Sequence, residues 1–322
     1  MTRLFLMLLL TIPVFPATSL NPRPGAGSRA VALELYHSFS GEQLQQYFRP
    51  FEDERRMTWE RLPKTREGIK IADLSEVQKN LFHRFLQASL SSEGYLMVTA
   101  VMFNEDIQQR FEPYLGKNEY YIELFGMPEE GKYWGWQLEG HHLSVNLTFH
   151  GDELISHTPF LLASNPQIVN SDRERNGLCL VYLEEQLAGE LAESLEGEAK
   201  DLGYTDRQRP PQVYGEKNKA GLESPGEGVP VEHLEAAQKE KFLALAKAYL
   251  RYFNYPPSRQ NSLLKELTDK RTRFFFMQQP HYNEEHYFRI RNDRHLIECE
   301  NYGNHSHHFI RSVNDFGQAV IR

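Results

Sequence analysis

The apolar period of this chain changes from helical to alternating at Glu119, and that change limits its fold more than any other feature of the sequence. Upstream, Ser75 and Gln78 form a capping-box pair, and Val77, Leu81, Phe82, Phe85, Leu86 and Leu90 follow at helical spacing. Gly94 punctuates, and a second helix is expected to carry Met97, Val101 and Ile107. From Glu119 the pattern is that of strands: Tyr120 to Phe125, then Trp134 to Phe149 as one long strand or two in sequence, bent at Gly140, then Leu154 to Phe160 after a turn at Gly151-Asp152. Helix returns at Leu183, with Leu187, Ala188, Leu191 and Leu195 on one face, and again from about Leu234 to Phe253. A short helix near Leu263 to Leu267 precedes a last block of strands: Phe274 to Met277, His286 to Arg291, His295 to Glu300 and His305 to Val313, with a tight turn at Asn292-Asp293. Segregated helices and hairpins predict an α+β fold with an antiparallel sheet, not a parallel βαβ arrangement. The two strand blocks flank a helical insert, so one sheet in a single large domain over 20–322 is expected. No internal repeat is read. Lys200 to Pro230, rich in Gly, Pro and charge, reads as a flexible surface loop.

Residues 1–19 read as a signal peptide: Arg3, an apolar run from Leu4 to Phe15, then Ala17-Thr18-Ser19 with cleavage before Leu20. The run is shorter than the ~20 residues a membrane span requires. A secreted or periplasmic protein without a membrane span is therefore expected. The net charge of −8 argues against a nucleic-acid partner, which selects for a basic face. A small-molecule ligand remains open. The two cysteines, Cys179 and Cys299, sit in apolar surroundings and read as buried thiols rather than a disulfide.

The histidines cluster. Glu139-Gly140-His141-His142 and Asn304-His305-Ser306-His307-His308 are the densest groups, with His281, His286 and His295 upstream of the second. Alternation along a continuous strand puts Leu143, Val145, Leu147 and Phe149 toward a core, and Trp134, Trp136, His142, Ser144, Asn146 and Thr148 on an opposite, polar and aromatic face. His305 and His307 share a face, as do Glu298 and Glu300. Two imidazoles side by side on a strand can supply two metal ligands; His142 or His286 is the candidate third ligand and Glu298 the carboxylate. The hairpin register, which the sequence leaves open, decides whether His286 faces Glu300 or Cys299. The alternative is a polar network in which histidines and asparagines only tie hairpins together. HExxH, CxxC, GxSxG, P-loop and GxGxxG patterns are absent from the sequence.

Trp134-Gly135-Trp136-Gln137-Leu138-Glu139-Gly140-His141-His142, with Thr158-Pro159-Phe160, Tyr287-Phe288-Arg289-Ile290, Leu296-Ile297-Glu298, Asn304-His305-Ser306-His307 and Asn314-Asp315-Phe316-Gly317, resembles domain-of-unknown-function family 3500. That family occurs mostly in exported bacterial proteins. The resemblance spans nearly the whole chain beyond the signal peptide. It implies that His141, His142, Asn146, Glu298, Asn301, His305, His307 and Arg311 belong to a common site, and it implies no reaction.

Two functions fit. One is a metal-dependent enzyme, hydrolytic or oxidative, with zinc, copper or iron on His142, His286, His305 and His307, and with Glu298, Arg311 and Asn146 as catalytic groups. The other is a non-catalytic module binding a small molecule or glycan on the face of Trp134 and Trp136.

Overall fold

A computed structural model describes residues 27–60, 62–110, 112–170, 175–210, 213–216, 226–281 and 284–321. The expected signal peptide, 1–19, and part of the 200–230 stretch lie outside them. The first half of the chain forms helices α1 (Ser28–His37) and α2 (Gly41–Tyr47), short strands β1 (Phe48–Arg49) and β2 (Ile69–Lys70), and helices α3 (Glu76–Ser89) and α4 (Ser92–Gln108). Strands β3 (Tyr121–Phe125), β4 (Tyr133–Gly140), β5 (Leu143–His150), β6 (Glu153–Ser156) and β7 (Phe160–Ser164) follow. The second half forms α5 (Tyr182–Glu193), α6 (Gly197–Gly203), β8 (Tyr204–Thr205), β9 (Val229–Pro230), α7 (Ala236–Leu250) and α8 (Pro257–Leu267). It ends in β10 (Arg273–Gln278), β11 (Glu285–Arg291), β12 (His295–Tyr302), β13 (Ser306–Ser312) and a terminal α9 (Gln318–Ile321).

The architecture is the expected α+β one. A single, mostly antiparallel sheet runs β1-β3-β4-β5-β7-β13-β12-β11-β10-β8, so the two strand blocks meet where β7 pairs β13. The Ser75–Gln78 capping box is present, with Gln78 N donating to Ser75 Oγ at 3.3 Å and Ser75 N to Gln78 Oε1 at 2.9 Å. Gly94 does not end a helix but lies inside α4. A Cβ there would stand 2.0 Å from the Tyr252 carbonyl, so only glycine permits this approach to the end of α7. The Trp134–Phe149 segment is a hairpin, turning at His141-His142 between Gly140 and Leu143.

The sheet also contains the repeat that the sequence reading did not find. β2 pairs β3 through Ile69 and Ile122, as β9 pairs β10 through Val229 and Phe274. β1 runs parallel to β3, and β8 parallel to β10. Leu124, Trp136 and Leu147 lie across β3–β4–β5 as Phe276, Phe288 and Cys299 lie across β10–β11–β12. The pair Phe160–Ile310 sits at the centre of this approximate two-fold relation. Ile69, Ile71, Leu74, Gln78, Phe82, Phe85 and Leu86 are buried, and so are Val229, Val231, Leu234, Gln238, Phe242, Leu245 and Ala246 at the matching positions. Gln78 Nε2 donates to Ser38 O at 2.9 Å, and Gln238 Nε2 to Ser194 O at 2.7 Å.

Alternation fixes the two faces of the sheet. The face carrying Ile122, Trp134, Trp136, Leu138, Leu143, Val145, Leu147, Phe276, Phe288, Ile297 and Ile310 packs against the helices as the main core. Trp134 and Trp136 thus lie opposite Ser144 and Asn146, contrary to the expectation of a shared face, because the turn at His141-His142 resets the alternation. The other face carries a smaller cluster of Leu161, Ala163, Phe275, Tyr287 and Phe309, covered by Trp59, Val213 and Phe316. Parts of the expected surface loop are built in: Val213 and Val229 are buried, and Tyr214 N and Gly215 N donate to Glu298.

Candidate metal centre

The β4–β5 turn places His142 with φ +65°, a left-handed conformation that β-hairpin turns normally give to glycine or asparagine. Holding a histidine there costs on the order of 1 kcal/mol, and such costs concentrate at functional positions. The strained residue is buried and lies against Glu105 of α4. Its Nδ1 is 2.6 Å from Glu105 Oε1, and His141 Nδ1 is 2.9 Å from Oε2 of the same carboxylate. The two rings stack with centroids 3.6 Å apart. Burial raises the pKa of Glu105, but the hydrogen bonds and charge of His141 and His142 outweigh it and hold the carboxyl below its usual value. An ionised Glu105 holds a proton on His142 Nδ1, so that Nε2, whose lone pair is the one a metal ion would take, points the other way.

That lone pair meets two more imidazoles. His142 Nε2 is 3.0 Å from His305 Nε2, and the His305 and His307 rings lie 4.5 Å apart at the start of β13. One ligand nitrogen from each of His142, His305 and His307 falls within 4.8 Å of the others. Tetrahedral ligands with metal–nitrogen bonds of ~2.0–2.1 Å stand about 3.3 Å apart, so the set matches a metal-sized gap. His307 Nδ1 lies 3.2 Å from Glu300 Oε1, its neighbour across the β12–β13 ladder, so a carboxylate stands behind the second ring as well. His142 and His307 are buried, while His305 is half-exposed beside Tyr302, on which the Arg209 guanidinium sits at 3.7 Å. A cleft of about 280 Å³ lined by Arg66, Lys70, Glu105, Tyr120, Tyr121 and His141 approaches from the other side.

A family model described as a protein of unknown function (DUF3500) matches residues 23–318. The chain belongs to the DUF3500 family. Compared with curated proteins and with solved structures, it matches none.

Of the two candidates for the third ligand in this DUF3500 chain, His142 converges with His305 and His307, and His286 does not. His286 pairs with Asn301 on β12, opposite neither Glu300 nor Cys299, and points to the helix-packed face. There its Nε2 lies 3.2 Å from Glu185 Oε2 and 4.0 Å from Cys299 Sγ. Cys179 and Cys299 are both free thiols. Glu298 is on the same face as His307 but holds the 214–215 segment, accepting from Tyr214 N at 3.1 Å and from Tyr287 Oη and Gly215 N at 2.5 Å each. Burial raises its pKa. Arg311 bonds Asp315 Oδ2 at 2.7 Å and Gly215 O, and lies over Trp59. Asn146 Nδ2 donates to Ser144 Oγ and Pro159 O, both at 2.9 Å.

Sequence reading missed the carboxylates Glu105 and Glu185 as partners, and it weighed Glu300 beside Glu298 and His286 rather than beside His307. Glu105 follows Val98, Val101 and Met102 on the buried stripe of α4, and Glu185 lies on the buried face of α5. A charge on an apolar helical stripe was the available signal, because an unpaired buried carboxylate is costly.

Proposed function

We propose that this protein is an exported metal-dependent hydrolase. A transition-metal ion would be held by His142, His305 and His307, with its remaining position open to water. The observation that carries the reading is the convergence of three imidazoles from two separate hairpins. One of them is kept in a strained conformation and set in its tautomer by a buried carboxylate. Three protein ligands with an open position are the usual make-up of a catalytic zinc site, and the ion there lowers the pKa of a bound water toward ~7. Glu105 orients His142, and Glu300 stands behind His307. The open position would be reached at the half-exposed His305, beside Tyr302 and the Arg209 guanidinium. Export rests on the pattern of residues 1–19. The binding-module alternative is weakened, because Trp134 and Trp136 are enclosed in the core.

The test is elemental analysis of protein exported natively and purified without a tag or chelator. A loss of about one equivalent of transition metal from the wild type to the His305→Ala/His307→Ala variant, whose circular dichroism is unchanged, supports the reading. An equal metal content in the folded variant overturns it.

A further inference from the structure

The helix-packed face of the second half holds a fully enclosed polar cluster that the proposed hydrolase does not use. Glu185 Oε1 accepts from Gln167 Nε2 at 2.8 Å and from Ser306 Oγ, and Oε2 accepts from Asn301 Nδ2 at 2.7 Å. The same carboxylate has His308 Nε2 at 3.0 Å and His286 Nε2 at 3.2 Å. Cys299 Sγ lies 3.5 Å from His308 Nε2 and 4.0 Å from His286 Nε2. One ligand atom from each of Glu185, His286 and Cys299 falls within 4.8 Å of the others, and all three residues are buried.

The outer nitrogen of each imidazole is anchored. His286 Nδ1 is 2.9 Å from Glu284 O, and His308 Nδ1 is 2.8 Å from Tyr249 Oη. A backbone carbonyl only accepts, so His286 Nδ1 carries the proton, and the neutral ring has a lone pair at Nε2. That lone pair faces the Glu185 carboxylate and the Cys299 sulfur. A carboxylate and an imidazole lone pair turned on one another without solvent need a cation between them, either an extra proton or a metal ion.

The two-fold relation of the sheet indicates that the fold does not itself need this cluster. The register places Trp134, Leu147 and Phe149 of the first half at the positions of His286, Cys299 and Asn301 in the second. All three are buried in the main core. The same scaffold is therefore closed by apolar side chains on one side of the axis and by ligand-type side chains on the other. Apolar packing at such a position is commonly as stable as a buried ionic set or more so, which leaves the polar set in need of another reason.

We propose that Glu185 Oε2, His286 Nε2 and Cys299 Sγ, with His308 Nε2 beside them, form a second, closed metal site for a zinc-like ion. Ligand atoms around tetrahedral zinc stand about 3.3–3.6 Å apart, given bonds of ~2.0–2.2 Å to nitrogen and oxygen and ~2.3 Å to sulfur. The separations among these ligand atoms, 3.2, 3.5 and 4.0 Å, bracket those edges. One thiolate, one carboxylate, a divalent ion and two neutral imidazoles sum to zero charge, which suits a dry interior. A thiolate ligand requires that binding release the Cys299 proton to solvent, and so closed a site admits the ion as the chain folds. The two sites differ in role: the one at His142 is half-open at His305, whereas this one is closed and structural.

The deciding measurement is zinc X-ray absorption on natively exported, full-length protein, combined with metal analysis of the His305→Ala/His307→Ala variant. The expected result is one sulfur neighbour at ~2.3 Å per zinc in the double variant, which keeps about one equivalent of metal, and one sulfur per two zinc ions in a wild type loaded at both sites, retained in the Cys179→Ser protein. A folded protein whose metal shows no sulfur neighbour, or a folded double variant free of metal, overturns the proposal. The outcome is separable from the hydrolase reading. A single sulfur-bound equivalent upholds this site and sinks the other, and a single sulfur-free equivalent does the reverse. Cys299→Ser should remove the sulfur neighbour; the wild-type spectrum decides the question even where that variant fails to fold.

Discussion

In the β4–β5 turn, His141 and His142 close on Glu105 of α4; at the corresponding β11–β12 turn, Arg294 and His295 reach Glu266 of α8, at 3.1 and 3.2 Å. The two-fold relation that equates Phe160 with Ile310 makes His157 the counterpart of His307, and Ile155 the counterpart of His305. Each half thus contains a hairpin turn, a helix carboxylate and a segment crossing from the other half. The contents differ. Glu105 is 3% exposed and lies between two imidazoles, whereas Glu266 is 25% exposed and pairs with an Arg294 that is 63% exposed. His157 Nδ1 bonds Tyr255 Oη at 2.7 Å, and a cleft of about 230 Å³ lined by Arg259, Arg294 and His295 opens beside it. A surface pair of the second kind contributes ~0–1 kcal/mol, so closing the turn onto the helix requires no more than that. The burial, the strain at His142 and the three converging rings exceed what the fold asks, and the proposed metal centre accounts for the excess.

The largest effect expected from this difference is on metal content. Removing two of three ligands in the His305→Ala/His307→Ala protein should abolish binding at the open site, while His157→Ala should leave metal content unchanged by mass spectrometry. The converse change is smaller but more telling. Ile155→His with Arg294→His would give the second half a three-histidine set around His157. Cobalt titration of that variant should reveal about one added, weaker site, since geometry and donors would then match. Unchanged stoichiometry would mean that the turn's strained backbone, and not the donor set alone, makes the first site.

How much of this was legible depended on whether the signal was local. The helix stripes of α3 and α7 and the hairpin of β11 and β12 came from periodicity, which short-range sterics enforce. The repeat was written in Ser38-Phe39-Ser40-Gly41-Glu42 against Ser194-Leu195-Glu196-Gly197-Glu198, and in Ile69, Ile71, Leu74 and Gln78 against Val229, Val231, Leu234 and Gln238. Loops of unequal length between these anchors hid it. Register was not legible, because a two-residue turn and a continuous strand give the same alternation until the turn resets it. That ambiguity put Trp134 and Trp136 on the wrong face, and the unread register of β11 on β12 left His286 among the candidate ligands of the wrong cluster.

Acidity should separate the halves next. Burial, aided by His295 and Arg259, lowers the pKa of His157 from 6.5 to about 3, so the folded state holds a proton there less readily than the unfolded chain. The stability this group contributes is complete above pH ~6.5 and is lost as pH falls toward the folded value. Between pH 6.5 and 4.5 the loss amounts to roughly 2–3 kcal/mol. Glu123 and Glu139, raised by burial to about 7, act in the opposite sense over the same range, since they favour folding below ~4.5 and lose that advantage as pH rises through 7. Urea midpoints of wild type and His157→Phe, compared at both pH values, isolate the histidine. The difference between the proteins should shrink on acidification, and a constant difference would place His157 outside the titrating groups.

The smallest effect is the most direct comparison of the two turns. Glu105→Gln keeps the side-chain shape but presents an amide that no longer fixes the His142 tautomer. Loss of such a partner typically lowers metal affinity ~10–100-fold, about 1.4–2.7 kcal/mol. Glu266→Gln, at the matching position, should change the midpoint of urea unfolding by less than ~1 kcal/mol and leave metal affinity untouched, because its partners are solvated. Competition with a chromophoric chelator measures the first quantity, and equilibrium unfolding measures the second. Were both substitutions to cost the same small amount and neither to move the chelator curve, Glu105 would be packing like its counterpart, and the asymmetry between the halves would be one of burial alone.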